Sequence, residues 1–150
     1  MVAYSFQKRF AEPIEAGTKR QTIRPDRKRH ARPGEELQLY TGMRTKHCKH
    51  IRRARCKGVY PIALSPRRRW AWVGAGYECA FLHGEPRDAS EIGLDRYGLS
   101  GRFVTPYLEA FARADGFIGW GDLARFWFEQ HEEMREEHSI FTGKIIVWEQ

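Results

Sequence analysis

The residue types best suited to chemistry are concentrated in residues 16–24, which read Ala-Gly-Thr-Lys-Arg-Gln-Thr-Ile-Arg. The segment places a lysine, a threonine and an arginine within a few residues of each other. In a regular strand, Lys19 and Thr22 face opposite sides. We therefore expect a turn after Gly17, or a bulge near Arg20, to bring them together. The alternative is a solvated basic strand at the edge of a sheet.

A second group of candidate residues consists of Tyr40, Lys46, His47 and His50. RNA can be cleaved without a metal when a base removes the 2′-hydroxyl proton, an acid protonates the leaving oxygen and a cation stabilises the charged intermediate. A histidine exchanges a proton near neutral pH, and Lys46 can neutralise phosphate charge. In the alternative, Tyr40 is an amphipathic residue at the rim of the sheet, and the histidines contact phosphate without transferring protons.

The charge of the chain is strongly positive and unevenly distributed. There are 26 Lys and Arg residues against 19 Asp and Glu residues, a formal net charge of +7 at pH 7. Residues 42–57 contain no carboxylate, residues 27–32 form a second basic cluster, and the C-terminal third is rich in glutamate. Concentrated positive charge attracts polyphosphates, although many basic runs are only solvated surface. The residues predicted to contact RNA are Arg20, Arg24, Arg27, Lys28, Arg29, Arg32, Arg44, Lys49, Arg52 and Arg53.

The hydrophobic pattern predicts an α+β fold. Strands are predicted over residues 2–6, 36–40, 57–64, 69–73, 77–82 and 143–148. Helices are predicted over residues 10–16, 106–113 and 122–132. Gly17 is expected to end the first helix, Thr105 to cap the second, which reads as a surface helix, and the apolar stripe of the third to join the core. The number of strands favours a barrel.

The 150 residues fit a single domain that spans the whole chain, 1–150. Residues 84–103 contain few periodic apolar positions and are expected to form an expanded loop that covers or extends a groove. No apolar run is long enough to span a bilayer, and the N-terminal residues lack the pattern of a signal peptide. We expect a cytoplasmic protein without membrane contact, in which the odd number of cysteines stays reduced.

Neither a metal nor a cofactor is expected. His47, Cys48, His50 and Cys56 are suitable ligand types for zinc, but their spacing completes no familiar tetrahedral set. The glycines at positions 74 and 76 are not followed by a helix that would receive a phosphate group. Cys79 is expected to be a small buried apolar residue.

Several segments together resemble the ASCH domain. They are Phe6-Gln7-Lys8-Arg9-Phe10 with Ile14, then residues 17–24, 32–35 and 37–40, and finally Ala114-Asp115-Gly116-Phe117. The Gly-x-Lys-x-x-Thr-Ile-Arg element is the most specific of them, and residues 58–103 match loosely. The resemblance covers most of the chain and implies a PUA-like mixed β-barrel with flanking helices and a link to RNA.

The resemblance also implies roles for three residues. Lys19, Thr22 and Asp115 match the Lys, Thr and acidic residue of the ASCH branch that hydrolyses N4-acetylcytidine. In the mechanism this implies, Thr22 attacks the amide, Lys19 removes the proton of Thr22 and the carboxylate assists the departing amine. This chain has Asp115 where that branch has Glu, a side chain shorter by one methylene. In the alternative, Asp115 only stabilises the Gly116 turn.

Taken together, these patterns predict an RNA-binding ASCH domain protein that cleaves single-stranded RNA without a metal. We expect its cleft to lie where Lys19, Thr22, Tyr40, Lys46 and Asp115 converge. One alternative is an amidohydrolase of N4-acetylcytidine, whose partner is a modified nucleoside rather than single-stranded RNA or tRNA. A further alternative is a reader of RNA without catalysis, in which tryptophans stack on bases unless they lie in the core. Its candidate tryptophans are Trp70, Trp72 and Trp120.

Overall fold

The computed structural model of the protein describes residues 1–77 and 101–149. Within these ranges it has an α+β fold with one mixed seven-stranded sheet. The strands are β1 (Val2–Phe6), β2 (Gln21–Arg24), β3 (Glu36–Thr41), β4 (Lys49–Ser65), β5 (Trp70–Gly74), β6 (Gly101–Phe103) and β7 (Phe141–Glu149). The helices are α1 (Ala11–Ala16), α2 (Leu108–Ala114) and α3 (Trp120–Gln130). Single turns of 3-10 helix cover Lys8–Phe10, Thr105–Tyr107 and Glu132–Arg135.

The long strand β4 organises the sheet. One edge of β4 pairs with β3 along its first half and with β5 along its last residues, while the other edge pairs with β7. Beyond these neighbours, β1 runs parallel to β3, β6 pairs with β5, and β2 pairs antiparallel with β7. Among the described residues β1 and β2 do not pair with each other. The sheet is therefore open at this point and does not form the closed barrel that the strand count predicts.

A continuous core of buried side chains joins the sheet to the three helices. Burial of this apolar surface is the main force that stabilises such a fold. Ile14 of α1, Phe111 of α2 and Leu123 of α3 are all fully buried and pack into the same core. Trp72 and Trp120 are also buried, so these two rings are core residues rather than exposed stacking surfaces. Trp70 remains half-buried and contacts Phe103 edge to face.

Most of the predicted elements are present, and their boundaries differ in informative ways. The strand expected to begin at residue 57 begins at Lys49, because Ala54 and Cys56 turn inward while the neighbouring Arg53, Arg55 and Lys57 face solvent. The helix expected over 106–113 is a 3-10 turn followed by α2, whose Leu108 is buried, so it is not a surface helix. No side-chain cap from Thr105 is present.

Part of the prediction falls outside the described residues. Of the strand expected over 77–82, the structure describes only the first residue, Tyr77. Cys79 lies outside the described residues. Most of the loop expected over 84–103 also lies outside, and its last three residues belong to strand β6. Within the described residues no helix is long and apolar enough to cross a membrane.

Candidate functional site

The candidate site is a cavity of ≈ 250 Å³ beside the gap between β1 and β2. Its polar lining consists of Ser5, Gln7, Lys19, Thr22, Arg24, Asp115, Gln130 and His131. Its apolar walls are largely aromatic and include Phe6, Phe10, Phe117, Phe126, Trp127 and Phe141. The cavity thus combines a small set of polar groups with ring surfaces, an arrangement typical of sites for small organic ligands.

A tight turn at the end of α1 places Lys19 in the cavity. Gly17 has a φ of +80°, which glycine adopts without steric cost, and the N–H groups of Thr18 and Lys19 both donate to Pro13 O at 3.0 Å. Because β2 begins only at Gln21, the alternation of the strand does not hold Lys19 opposite Thr22. The predicted turn after Gly17 is confirmed, and both side chains line the cavity.

Lys19 forms a buried pair with Asp115. Its Nζ donates to Asp115 Oδ1 at 2.9 Å and also to the main-chain oxygen of Asp115. The side chains of Lys19 and Asp115 are only 3% and 6% exposed. Burial lowers the pKa of Lys19 against the opposing effect of Asp115, and burial raises the pKa of Asp115 against the opposing effect of Lys19. Both shifts favour the neutral forms, which for Lys19 is the form that accepts a proton.

The turn after α2 makes room for the lysine. Asp115 follows the last residue of α2, and the next residue, Gly116, has a φ of +90°. A Cβ atom at Gly116 would lie 2.7 Å from Lys19 Cδ and 3.1 Å from Phe10 Cδ1. The Gly116 N–H donates to Arg113 O, so the carboxylate of Asp115 is used on Lys19 rather than on this turn. The lysine side chain therefore passes beside Gly116 where no larger residue fits.

Arg24 crosses the gap between the two unpaired strands. Its Nη2 donates to Ser5 O of β1 at 2.7 Å, and its Nε donates to Thr22 Oγ1 at 3.2 Å. The guanidinium also lies over the ring of Phe6, 4.9 Å from its centre. Thr22 and Arg24 share one face of β2, whereas Gln21 faces the core, where the Tyr77 hydroxyl donates to it. Arg24 thus holds a positive charge against the Thr22 hydroxyl.

Together these groups can carry out nucleophilic acyl transfer. A neutral Lys19 can accept the Thr22 proton, and the N–H groups of Arg24 can stabilise negative charge that develops on a substrate oxygen. The aromatic walls keep the polar groups away from bulk water, which strengthens each electrostatic interaction. Lys19 itself lies over the Phe10 ring at 4.6 Å.

A group of four lining residues in and just after α3 was not predicted as functional. The stripe of α3 was interpreted as core, yet Phe126 and Trp127 also form a cavity wall, and Gln130 and His131 follow at the end of the helix. The His131 ring stacks on Trp127 with centres 4.9 Å apart. The sequence carries one signal, a polar stretch that ends in Gln130 and His131 and follows the aromatic residues 126–128.

The structure does not bring Tyr40 and Lys46 to this cavity. Tyr40 lies on β3, which pairs with one edge of β1, whereas the cavity adjoins the other edge, so the predicted convergence of five residues is wrong. The Tyr40 ring contacts His50 edge to face with centres 5.0 Å apart, and His50 Nε2 is 2.7 Å from Gln38 Oε1. Lys46 and His47 are exposed in the turn before β4.

The predicted RNA contacts divide into exposed and structural residues. Exposed side chains belong to Arg20, Arg27, Lys28, Arg29, Arg32, Arg44, Lys49 and Arg53. Arg29 nevertheless pairs with Glu35. Arg24 is half-buried in the cavity, and Arg52 is half-buried with Nη1 3.4 Å from the main-chain oxygens of Ile14 and Glu15. Arg52 therefore stabilises the end of α1 instead of facing solvent.

Metal ligation finds no support in the described ranges. Within residues 1–77 and 101–149, no group of three or more His, Cys, Asp or Glu side chains could hold a metal ion. Cys48 is exposed, whereas Cys56 is buried, and burial raises the pKa of Cys56 to about 11. The two thiols thus lie in different environments.

Comparison of the chain with protein-family models, with curated proteins and with solved structures finds no match. The resemblance to the ASCH domain therefore stays a prediction, and the function is argued from the geometry of the cavity.

Proposed function

We propose that the protein is an amidohydrolase that removes the acyl group of an N4-acylated cytidine nucleoside. The observation that carries this proposal is the common placement of Lys19, Thr22 and Asp115 in one aromatic cavity, although Asp115 is far from the other two in sequence. The ribonuclease predicted from the sequence required Tyr40 and Lys46 beside these groups. Their separation from the cavity makes amide hydrolysis the better-supported activity.

In the proposed reaction, Thr22 Oγ attacks the amide carbonyl while its proton passes to the neutral Nζ of Lys19. The C–N bond then breaks, the proton moves from Lys19 to the departing amine, and an acyl ester remains on Thr22. Water hydrolyses this ester with Lys19 again as the base and releases the carboxylic acid. Arg24 stabilises the negatively charged oxygen of the intermediates through Nη1, which has no partner among the described residues, while its Nε holds Thr22 Oγ1 and its Nη2 holds Ser5 O.

Asp115 acts in this proposal as a positioning residue. It lies at the end of α2 and binds Lys19 through both its carboxylate and its main-chain oxygen. A longer acidic side chain at this position would push the lysine further into the cavity. The shorter aspartate is therefore compatible with a lysine that stays close to the turn. In this proposal the amine leaving group takes its proton from Lys19 and not from Asp115.

We also propose that the fold is a PUA-like, ASCH-type domain. The support is the mixed sheet with few helices, in which the single strand β4 pairs with β3, β5 and β7. The segments that resemble the ASCH domain also supply five of the polar residues of the cavity, which are Gln7, Lys19, Thr22, Arg24 and Asp115.

RNA binding is a second candidate function, which a specific surface favours. Lys49, Arg53, Arg55 and Lys57 of β4 are all exposed, and Arg53 and Arg55 alternate with the buried Ala54 and Cys56. The pairing of β3 with β4 places Arg53 and Arg55 on the same face of the sheet as the Tyr40 and His50 rings. Such a face fits a phosphate backbone, and cleavage or simple reading of single-stranded RNA would take place there rather than in the cavity.

One experiment separates these activities. Metal-stripped protein is incubated with N4-acetylcytidine and, separately, with labelled single-stranded RNA, and products are followed by chromatography. We expect cytidine and acetate from the nucleoside, a loss of this product in Lys19→Met, and unchanged turnover in Lys46→Ala. RNA fragments that disappear only in Lys46→Ala would favour a ribonuclease. Binding of RNA without either product would leave a reader.

A further inference from the structure

Among the described residues, the cavity contains one positive charge that no lining carboxylate balances. The Lys19 and Asp115 pair has a net charge of zero whether it is an ion pair or two neutral groups. Arg24 keeps its charge under ordinary conditions, because a guanidinium does not lose its proton in proteins. Asp115 is the one carboxylate that lines the cavity among the described residues, and it is already engaged with Lys19. The polar end of the cavity is therefore cationic.

The guanidinium of Arg24 also has N–H groups that make no hydrogen bond to the described residues. Its Nε donates to Thr22 Oγ1 and its Nη2 to Ser5 O, while Nη1 has no partner among the described residues. A planar guanidinium offers parallel N–H groups that match the two oxygens of a carboxylate. The half-buried position of Arg24 at the cavity wall leaves these donors accessible to a bound molecule.

The remaining walls determine what can carry such an anion. Phe6, Phe10, Phe117 and Phe126 present ring surfaces, and His131 stacked on Trp127 lies on the same cavity. Flat ligands bind well against such rings, whereas a highly hydrated group would lose its water without replacement. A single carboxylate balances the one excess charge, and a doubly charged phosphate would exceed it.

We propose that Arg24 and the neighbouring end of Lys19 form a subsite for a small monovalent carboxylate, with the aromatic walls holding a flat ring attached to it. This rests on the proposed function only in that both use the same cavity. The acid released by amide hydrolysis belongs to the class of ligand that the subsite binds. Carboxylates of this kind are therefore competitive inhibitors of the enzyme.

Benzoate and benzamide provide a matched pair of probes, since they share shape and differ in charge. Binding is measured by isothermal titration calorimetry with wild-type protein, with Arg24→Gln and with Arg27→Gln as a control. Arg27 lies over the Tyr4 ring, 4.6 Å from its centre, and does not line the cavity. Glutamine at position 24 keeps a donor for Ser5 O, and a thermal melt verifies that each variant is folded.

We expect wild-type protein to bind benzoate about tenfold more tightly than benzamide, as charge-assisted hydrogen bonds require. The preference is lost in Arg24→Gln and kept in Arg27→Gln. Equal affinities for the two probes in wild-type protein would overturn the proposal without any variant, as would a preference that persists in Arg24→Gln. Since binding needs no turnover, benzoate selectivity without hydrolysis of N4-acetylcytidine would reject the proposed function alone. Hydrolysis without selectivity would reject the subsite alone.

Discussion

Lys19 and Asp115 form an ion-pair contact of 2.9 Å although 96 residues separate them in sequence. The contact joins the turn after α1 to the end of α2, and both side chains are withdrawn from water. Removing two charged groups from water is costly unless they satisfy each other. The pair therefore belongs to the site as well as to the fold, and it can be tested in both respects.

Separate removal of either partner of the Lys19–Asp115 pair is expected to destabilise the protein more than removal of both. Lys19→Met and Asp115→Ala each leave a buried ionisable group without its side-chain partner, which costs about 3–5 kcal/mol. The double variant is expected to recover a large part of this loss. Urea unfolding of the four proteins measures the coupling. Strictly additive losses would show that the two side chains do not depend on each other.

Gly116→Ala is expected to damage both stability and the site. The new methyl group meets the Lys19 side chain, and the backbone has a φ that alanine avoids, so we expect a loss of about 2 kcal/mol together with reduced hydrolysis. Gly34→Ala is the control for backbone strain alone, since its φ is +84° with nothing within 4 Å. Thermal melts and turnover are measured in parallel. Equal effects of the two substitutions would show that backbone strain alone explains the loss and that contact with Lys19 adds nothing.

Arg52 and Arg53 are neighbours in sequence that are expected to behave differently in RNA binding. Arg53→Ala removes an exposed charge, so RNA affinity falls and its salt dependence decreases by about one unit of slope. Arg52→Ala removes the side chain that contacts the end of α1, so stability falls while the salt dependence changes little. Fluorescence anisotropy over a salt series gives both slopes. An identical loss of slope in the two variants would place both side chains on RNA.

The ionised side chain of Glu35 is expected to stabilise the fold at neutral pH and to lose this effect in acid. Its pKa is lowered from 4.5 to about 2 by the Met1 amino group, the Arg32 N–H group and the Arg29 side chain. The Glu35 carboxylate therefore binds a proton more readily in the unfolded chain than in the folded one. Its contribution to the free energy of unfolding is complete above about pH 4.5 and disappears as the pH falls toward 2. Urea unfolding of Glu35→Gln between these pH values should show a flatter dependence. A slope equal to that of the wild type would contradict this role.

The sequence predicts the parts of the site that depend on local geometry. A glycine at the end of a helix predicts a turn, and with that turn Lys19 and Thr22 line the same cavity. The alternation of apolar residues predicts β1 with its observed bounds, Val2–Phe6. Such features depend on a few neighbouring residues, so that backbone sterics and burial decide them.

Long-range pairing is what the sequence does not decide. The residue type of Tyr40 does not indicate at which edge of β1 its strand pairs. Only the parallel pairing of β3 with β1 places Tyr40 away from the cavity. Arg24 was predicted to contact RNA, because nothing local indicates that it bridges two unpaired strands. The second wall of the cavity likewise depends on how α3 packs. In the sequence, His131 is only a polar residue three positions after the aromatic residues 126–128.

The most direct measurement of the central claim is the turnover of N4-acetylcytidine by wild-type protein, Thr22→Ser and Thr22→Val. Serine keeps the attacking oxygen, whereas valine keeps the shape and lacks it. We predict measurable deacetylation by the wild type, reduced but clear activity of Thr22→Ser, and loss of activity in a folded Thr22→Val. Full activity of Thr22→Val, or no deacetylation by the wild type, would contradict the account.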